Sequence, residues 1–527
     1  MVNNMDLKWW QRPVRMMRRD FLGDFSYYQN NNLEEMARIA KEQWHINCEW
    51  IMATPGCAPG QAHLTTFNSD KFDKVAGLDN FDIIRAYLPH AKKYGIHLVP
   101  YINQHWYSYE FAQAHPEFAE QELEDGTAYG SKTPLYGNGT TFCVNSPWRE
   151  FAFEIIRETI RLGVDGCFLD GPVIFPRGCY CQHCRKLFKA NYGFDRLPSW
   201  GDWSDEAWKP FLKFRRDSWR DFMRDAQQAV IEVNPEAIIF LNGGNFNSGS
   251  VMTARDVAAL EPYQNFNGSE EFFHCSESYN SPFKTLNLGR FLAASDNPSV
   301  VFTHHTMSSW HYVPLSKTEM TLAITQAIAS GSNTWLAIYM DAMQYRAEEA
   351  FAANDIQQLF AANENLFTAT ESAATTALVT SANTLYSYIS DINELTADVG
   401  SGVEENLVAD LGSGKLRETV NERRAISEAT LNHELNGAFD CANFGHIPLK
   451  VLWDQHLTAK KLQSLSTLIL PNTACLSDSQ CKIIMDFVRQ GGSLLASFEA
   501  GFYDENGDKA PRPEWLAMLG IKNINGD

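Results

Sequence analysis

No stretch of this 527-residue chain supplies the roughly 18 consecutive apolar residues that a membrane-crossing helix needs, so no transmembrane helix is expected. Basic residues are in deficit: 44 Lys and Arg stand against 64 Asp and Glu, a formal net charge of -20. A surface of that sign repels phosphate backbones and anionic headgroups, which excludes nucleic acid and membrane as expected partners. A disulfide framework is not indicated either. The 11 cysteines are an odd number in a long chain, which fits reduced thiols and a cytoplasmic location. Arg18-Arg19 has the look of a twin-arginine export signal, but the residues that follow, GDFSYYQNNNLEE, lack the apolar segment such a signal carries.

What the chain does have is 44% hydrophobic and 20% charged residues, the balance of an ordered globular protein, and a length that calls for more than one core. Short apolar runs alternate with helix-period segments. Strands are expected at FLGDFSYY near Phe21, INCEWIMAT, IHLVPYIN, GCFLDG, AIIFLNG, QNFNGSE, SVVFTHH and NTWLAIYM. Helices are expected at LEEMARIAKEQW, FDIIRAYLPHAKKYG, REFAFEIIRETIRLG, WRDFMRDAQQAVIEV and EMTLAITQAIASG. Eight such units predict an α/β fold, a (β/α)8 TIM barrel spanning residues 1–366. The competing doubly wound sheet is weakened because no Gly-rich phosphate loop follows the first strand.

In a barrel, polar residues at the C-terminal strand ends face the active-site mouth. Those endings offer Asn103, Gln104, His105 and Trp106 after the third strand, Asp170 after the fourth, and Asn242 and Asn245 after the fifth. Glu270, Glu271 and His274 follow the sixth strand, His304 and His305 the seventh, and Asp341 the eighth. Aromatic rings beside hydrogen-bonding side chains suit a sugar, whose C–H faces stack while its hydroxyls seek donors and acceptors. Of these, Asn103, His105, Trp106, Asn242, His274, His304 and His305 are the expected substrate contacts.

Glycoside hydrolysis needs two carboxyl groups, one to protonate the leaving oxygen and one to attack or activate water. Asp170 and one of Glu270 and Glu271 can supply them. Barrel glycosidases that carry the acid on the fourth strand usually keep the nucleophile on the seventh, and here the seventh ends in Thr303-His304-His305 without a carboxylate, so Asp170 is expected as nucleophile and Glu270 or Glu271 as acid/base, Glu270 being nearer the strand end. No cofactor is needed for that chemistry. Cys179, Cys181 and Cys184, in C-x-C-x-x-C spacing, with Cys143 upstream, are either a closed structural zinc site or reduced buried thiols.

Beyond Leu366 the pattern changes. ATTALVT and LSTLILPN read as buried strands, SDSQCKIIMDFVRQGG as a helix with a glycine cap, and SLLASFEA as another strand, a second α/β domain over residues 367–527. The Gly- and charge-rich span from Asp398 to Arg424 reads as a loop or insertion, and the chain stops without a clear final element.

GVDGCFLDGP…CYCQHCRKLFKANYG, AHPEFAEQELEDG and FCVNSPWREF resemble a group of bacterial glycosyl hydrolases akin to family 42 β-galactosidases, with a cysteine cluster after the fourth-strand active-site residue. GAFDCANFG, LILPN and FVRQGGSLLASFE resemble the β-galactosidase trimerisation domain, a glutamine-amidotransferase-like (flavodoxin-like) fold. The combination resembles glycoside hydrolase family 151, the α-L-fucosidases that share the family 42 layout. This implies a retaining exo-glycosidase acting on terminal fucose of oligosaccharides, a homotrimer, and zinc on Cys143, Cys179, Cys181 and Cys184, whose order matches the family 42 ligands. The chain departs from family 42 in having Asp170-Gly171 where that family has Asn-Glu, and in lacking the seventh-strand glutamate. Two other expectations stand beside it: a different exo-glycosidase, β-galactosidase-like and acting on algal galactan or carrageenan oligosaccharides, and a non-catalytic sugar-binding scaffold.

Overall fold

The computed structural model describes residues 7–20, 25–56, 60–78, 80–122, 126, 128, 139–174, 178–200, 202, 204–244, 253–271, 281–308, 311–339, 354–388 and 433–522. Eight parallel strands form its larger part: β1 (Arg15–Asp20), β2 (Cys48–Trp50), β3 (His97–Leu98, resumed as Tyr101–Asn103), β4 (Gly166–Asp170), β5 (Ile238–Leu241), β6 (Asn267–Glu271), β7 (Ser299–His304) and β8 (Asn333–Tyr339). Each pairs with its successor except β5 with β6, and β1 pairs with β8. Between β5 and β6 the seam is held by Asn265 N donating to Ile239 O at 2.8 Å and Gly244 N to Gly268 O at 2.7 Å. The ring is therefore closed, as a barrel requires. Pro100 interrupts β3 because it carries no N–H to give to the ladder.

Helices α1 (Leu33–Glu42), α2 (Ile83–Lys93), α3 (Trp148–Arg161), α4 (Gln182–Tyr192), α5 (Trp208–Ile231), α6 (Lys284–Leu292) and α7 (Lys317–Ala329) lie in the connections. Several start on side-chain caps. Asn32, Asp82 and Ser316 each accept a backbone N–H from the third residue on, satisfying a donor that the helix itself leaves open. No helix among the described residues is long and apolar enough to cross a membrane.

The first strand differs from expectation. It is Arg15–Asp20, not the FLGDFSYY segment, whose last three residues open the helix Ser26–Asn30. Three arginines disguise it: Met16 and Met17 are buried as a strand predicts, but so are Arg15 and Arg19. Arg19 Nε lies 2.8 Å from Glu49 Oε1, and Arg15 Nη1 lies 3.3 Å from Glu364 Oε2, so both buried charges are paired. The twin arginines are strand residues.

An aromatic layer fills the barrel beneath its mouth. Phe302 stacks on Trp335 with centroids 4.1 Å apart, Phe168 meets Trp335 edge-on at 4.7 Å, and Phe240 lies 4.9 Å from Phe168. Full burial stabilises the fold by roughly 1.5–3 kcal/mol per such side chain. Gly268 belongs to this layer: a Cβ there would meet Val300 Cγ1 at 2.9 Å. Side chains alternate along a strand, so residues two beyond this layer also point inward, at the mouth.

A second sheet, in the order β10-β9-β11-β12, comprises β9 (Thr376–Thr380), β10 (Leu449–Trp453), β11 (Thr467–Leu470) and β12 (Ser493–Ala496), all parallel. β10 was not among the expected strands. Helices α8 (His433–Phe444) and α9 (Asp478–Arg489) accompany it, the latter opened by a Ser477–Gln480 capping box. The span from Asp398 to Arg424 lies outside the described residues. Leu378, Val451 and Trp453 of this unit share one apolar cluster with Val257, Phe291 and Leu292 of the barrel.

A polar clamp borders that contact. His456 Nε2 lies 2.9 Å from Glu261 Oε2, and His456 Nδ1 lies 3.0 Å from the Ala294 carbonyl. Both ring nitrogens face acceptors, an arrangement that only the imidazolium satisfies. Burial works against the charge, but the hydrogen bond and charge of Glu261 outweigh it and hold the His456 pKa above its ordinary value. A raised histidine pKa contributes stability that is present below the unfolded value and lost as pH rises through the folded one. His456→Gln is accordingly expected to cost about 1 kcal/mol at pH 5.5 and much less at pH 9, read by urea unfolding at the two pH values. Equal losses at both would remove the ionic contribution.

Candidate active site

Asp170 ends β4 and reaches into the mouth two residues beyond Phe168. Tyr101 Oη donates to its Oδ2 at 2.7 Å, and Asn242 Nδ2 donates to its Oδ1 at 3.2 Å. The same amide nitrogen donates to Glu270 Oε2 at 2.9 Å. One nitrogen thus touches both carboxylates, and those contacts laid end to end keep the facing oxygens within about 6 Å, close enough for both to flank one scissile bond.

Glu270 has a second set of neighbours. His304 Nε2 lies 3.4 Å from its Oε1, and Arg18 Nη1 lies 3.9 Å from that same oxygen. Burial penalises the Glu270 anion, but His304, Arg18 and Asn242 outweigh this and bring its pKa below the usual glutamate value. The site therefore pairs two carboxylates that meet the same amide but different further partners: a phenol for Asp170, two basic groups for Glu270.

Other expected residues divide by which way they face. Glu271 turns from the mouth, as strand alternation demands, and its Oε1 lies 2.9 Å from Lys284 Nζ on α6. Burial raises its pKa against the pull of Lys284. His305 likewise leaves the set: its Nδ1 is 3.0 Å from the Ala337 carbonyl, and burial lowers its pKa to about 4, so it is a neutral residue tied to β8. Asn103 is fully buried and its amide is spent on the backbone, Nδ2 donating to Pro55 O at 3.1 Å and Oδ1 accepting from His105 N at 3.0 Å. It holds a loop rather than offering a group to a sugar. His105 stays beside the site, Nδ1 2.7 Å from the Asp170 carbonyl and kept below its ordinary pKa by burial, with Trp106 edge-on at 4.2 Å. His274, Asn245 and Asp341 lie outside the described residues.

Sequence reasoning missed Arg18 and Tyr101. Arg18 is masked by the misplaced first strand. Tyr101 stacks on Trp50 at 4.9 Å and would have been found by reading inward positions rather than strand ends alone.

The cysteines converge beyond Asp170. Cys143, Cys179, Cys181 and Cys184 are buried, with all four Sγ atoms within 4.8 Å of one another. Cys143 Sγ lies 3.4 Å from that of Cys184 and 3.6 Å from that of Cys181, close to the edge of about 3.8 Å in a tetrahedral site with zinc–sulfur distances of 2.3 Å. Backbone donors face the sulfurs: Gln121 N on Cys179 and Asn145 N on Cys143, each at 3.4 Å, while Asn145 Nδ2 reaches Cys184 at 3.4 Å. The donor set and its second layer fit a closed zinc site that has no open position for catalysis.

Gly171 joins Asp170 to that loop. Its φ is +95°, and a Cβ there would stand 2.5 Å from His105 Nδ1. Gly163, also left-handed at +84°, has no atom closer than 3.7 Å around such a Cβ. Gly171→Ala is therefore expected to destabilise by roughly 1–3 kcal/mol more than Gly163→Ala in thermal or urea unfolding, the excess being the His105 clash added to the backbone strain both share. Equal costs would show that His105 yields freely.

No protein-family model matches the chain, and no curated protein matches it. Solved structures do. α-L-Fucosidase isoenzyme 2 from Paenibacillus thiaminolyticus is 17% identical with a TM-score of 0.65, over 93% of this chain and 65% of its own. A β-galactosidase from Bacillus circulans sp. alkalophilus is 14% identical with a TM-score of 0.66, over 96% of this chain and 74% of its own. A family 42 β-galactosidase from G. stearothermophilus, solved as a catalytic mutant, is 13% identical with a TM-score of 0.63, over 96% and 75%. The chain thus spans a little under two thirds of the fucosidase's length. At these identities the likeness shows the fold alone, an α/β barrel fold that this chain shares with that fucosidase and those β-galactosidases.

Proposed function

We propose that the chain is a retaining exo-glycosidase and, within that class, an α-L-fucosidase of the family 151 type. The observation that carries the reading is the Asp170–Glu270 pair bridged by Asn242 at the barrel mouth. In the first step Asp170 forms a bond to the anomeric carbon as the bond to the leaving oxygen breaks, and Glu270 gives that oxygen its proton. In the second, water attacks the anomeric carbon, its proton passes to Glu270, and the Asp170 ester bond breaks. Fucose is favoured over galactose because β7 ends in Thr303-His304-His305 and supplies no carboxylate where the β-galactosidase layout would call for one.

A second reading exchanges the roles. Arg18 and His304 favour the Glu270 anion, which suits a nucleophile as well as an acid that works at low pH.

A panel of nitrophenyl glycosides, with Asp170→Gly and Glu270→Gly assayed in azide, tests both. The α-L-fucoside should be cleaved by the wild type and lose about 1,000-fold or more in either variant. Azide should then give the inverted fucosyl azide with Asp170→Gly and the retained one with Glu270→Gly. The opposite anomers establish the exchanged roles, cleavage of a galactoside alone makes the chain a different exo-glycosidase, and sugar binding without cleavage makes it a scaffold.

We also propose that the four cysteines hold one structural zinc. Native mass spectrometry should find one zinc per chain, and Cys184→Ser should lose it together with several degrees of melting temperature. A metal-free wild type of unchanged stability contradicts this.

A further inference from the structure

Consecutive arginines of β1 part company. Arg19 faces the helix layer, where Glu49 and the Tyr87 ring receive it. Arg18 faces the mouth, its guanidinium carbon 4.9 Å from the centroid of Trp50 and 5.6 Å from that of Phe302, with the side chain only 13% exposed. Two rings beneath a cation limit its motion and offset part of its desolvation. From that seat Nη1 approaches Glu270 Oε1 to 3.9 Å, too far for a hydrogen bond and close enough for charge to act. His304 Nε2 approaches the same oxygen at 3.4 Å, while Asn242 takes Oε2. We propose that Arg18 is a positioning residue for this site, seated on Trp50 and Phe302 so that its fixed charge governs whether Glu270 carries a proton.

The inference rests on Glu270 being one of the two reacting carboxylates. Among the described residues, the charged and titratable groups facing Glu270 are Arg18 from β1, His304 from β7 and, across Asn242, Asp170 from β4, with His105 behind Asp170. Arg18 is the member of this set that keeps its charge at every working pH, whereas a histidine surrenders its own near neutrality.

The test is the pH dependence of kcat/KM in full-length wild type, Arg18→Gln and Arg18→Lys, with thermal unfolding of each. The limb governed by Glu270 should move up by about one pH unit in Arg18→Gln: the basic limb if Glu270 is the proton donor, the acid limb if it is the nucleophile. Arg18→Lys should restore most of that shift. A uniform fall in rate at every pH, with both limbs unmoved, would make Arg18 a purely structural residue and overturn the proposal. A wild type that cleaves no glycoside would defeat the glycosidase reading and still leave this one decidable. Carbon-13 NMR of glutamate-labelled protein, with the Glu270 signal assigned by Glu270→Gln, should then show the same upward movement in Arg18→Gln, and an unmoved signal overturns it.

Discussion

The geometry of the site depends on one constraint: side chains alternate across a strand, and the barrel is plugged by aromatic rings at one level. Phe168, Phe240 and Phe302 are locked together with Trp335, so the residues two positions further on, Asp170, Asn242 and His304, have only the mouth to enter. Gly268 lets Glu270 join them by leaving the space that Val300 and Phe240 occupy. The convergence of four side chains from four strands is thus a consequence of core packing. Their preorganisation costs nothing further when a substrate arrives.

Electrostatics then differentiates groups that the scaffold merely gathers. Two carboxylates joined through one amide would resemble each other, but Asp170 receives a neutral phenol and Glu270 receives His304 and Arg18. The two groups thus meet unequal surroundings, and His304 and Arg18 favour the anion of Glu270. Outside the mouth the same residue types do structural work. Glu271 with Lys284 ties a strand to a helix, Glu49 with Arg19 ties β2 to β1, and Glu261 with His456 ties one sheet unit to the other.

Much of this was legible in the sequence because helices and strands kept their periods. The endings of β4 through β7 came out in place. β1 did not, since Arg15, Arg18 and Arg19 give it the appearance of a charged segment, and only the paired burial of Arg15 and Arg19 explains how a strand tolerates them. The choice between Glu270 and Glu271 was open at the strand end yet decidable from parity: Phe266 and Gly268 point inward, and Glu270 continues that row. Asn103 and His305 could not be sorted this way, because their polar atoms are consumed by particular backbone carbonyls that only the folded chain brings near. Nor does spacing reveal that four thiols separated by up to 41 positions meet within 4.8 Å.

The central claim is that the carboxylate pair at the mouth performs a double displacement through a covalent sugar ester. Incubation with a 2-deoxy-2-fluoro-L-fucosyl fluoride, followed by peptide mass mapping, tests it most directly, because fluorine at C2 slows hydrolysis of such an ester enough for isolation. One fluorofucosyl group per chain, on the peptide carrying Asp170, is the predicted result. An active enzyme that gives no adduct, or one labelled on a residue outside the Asp170–Glu270 pair, would contradict it.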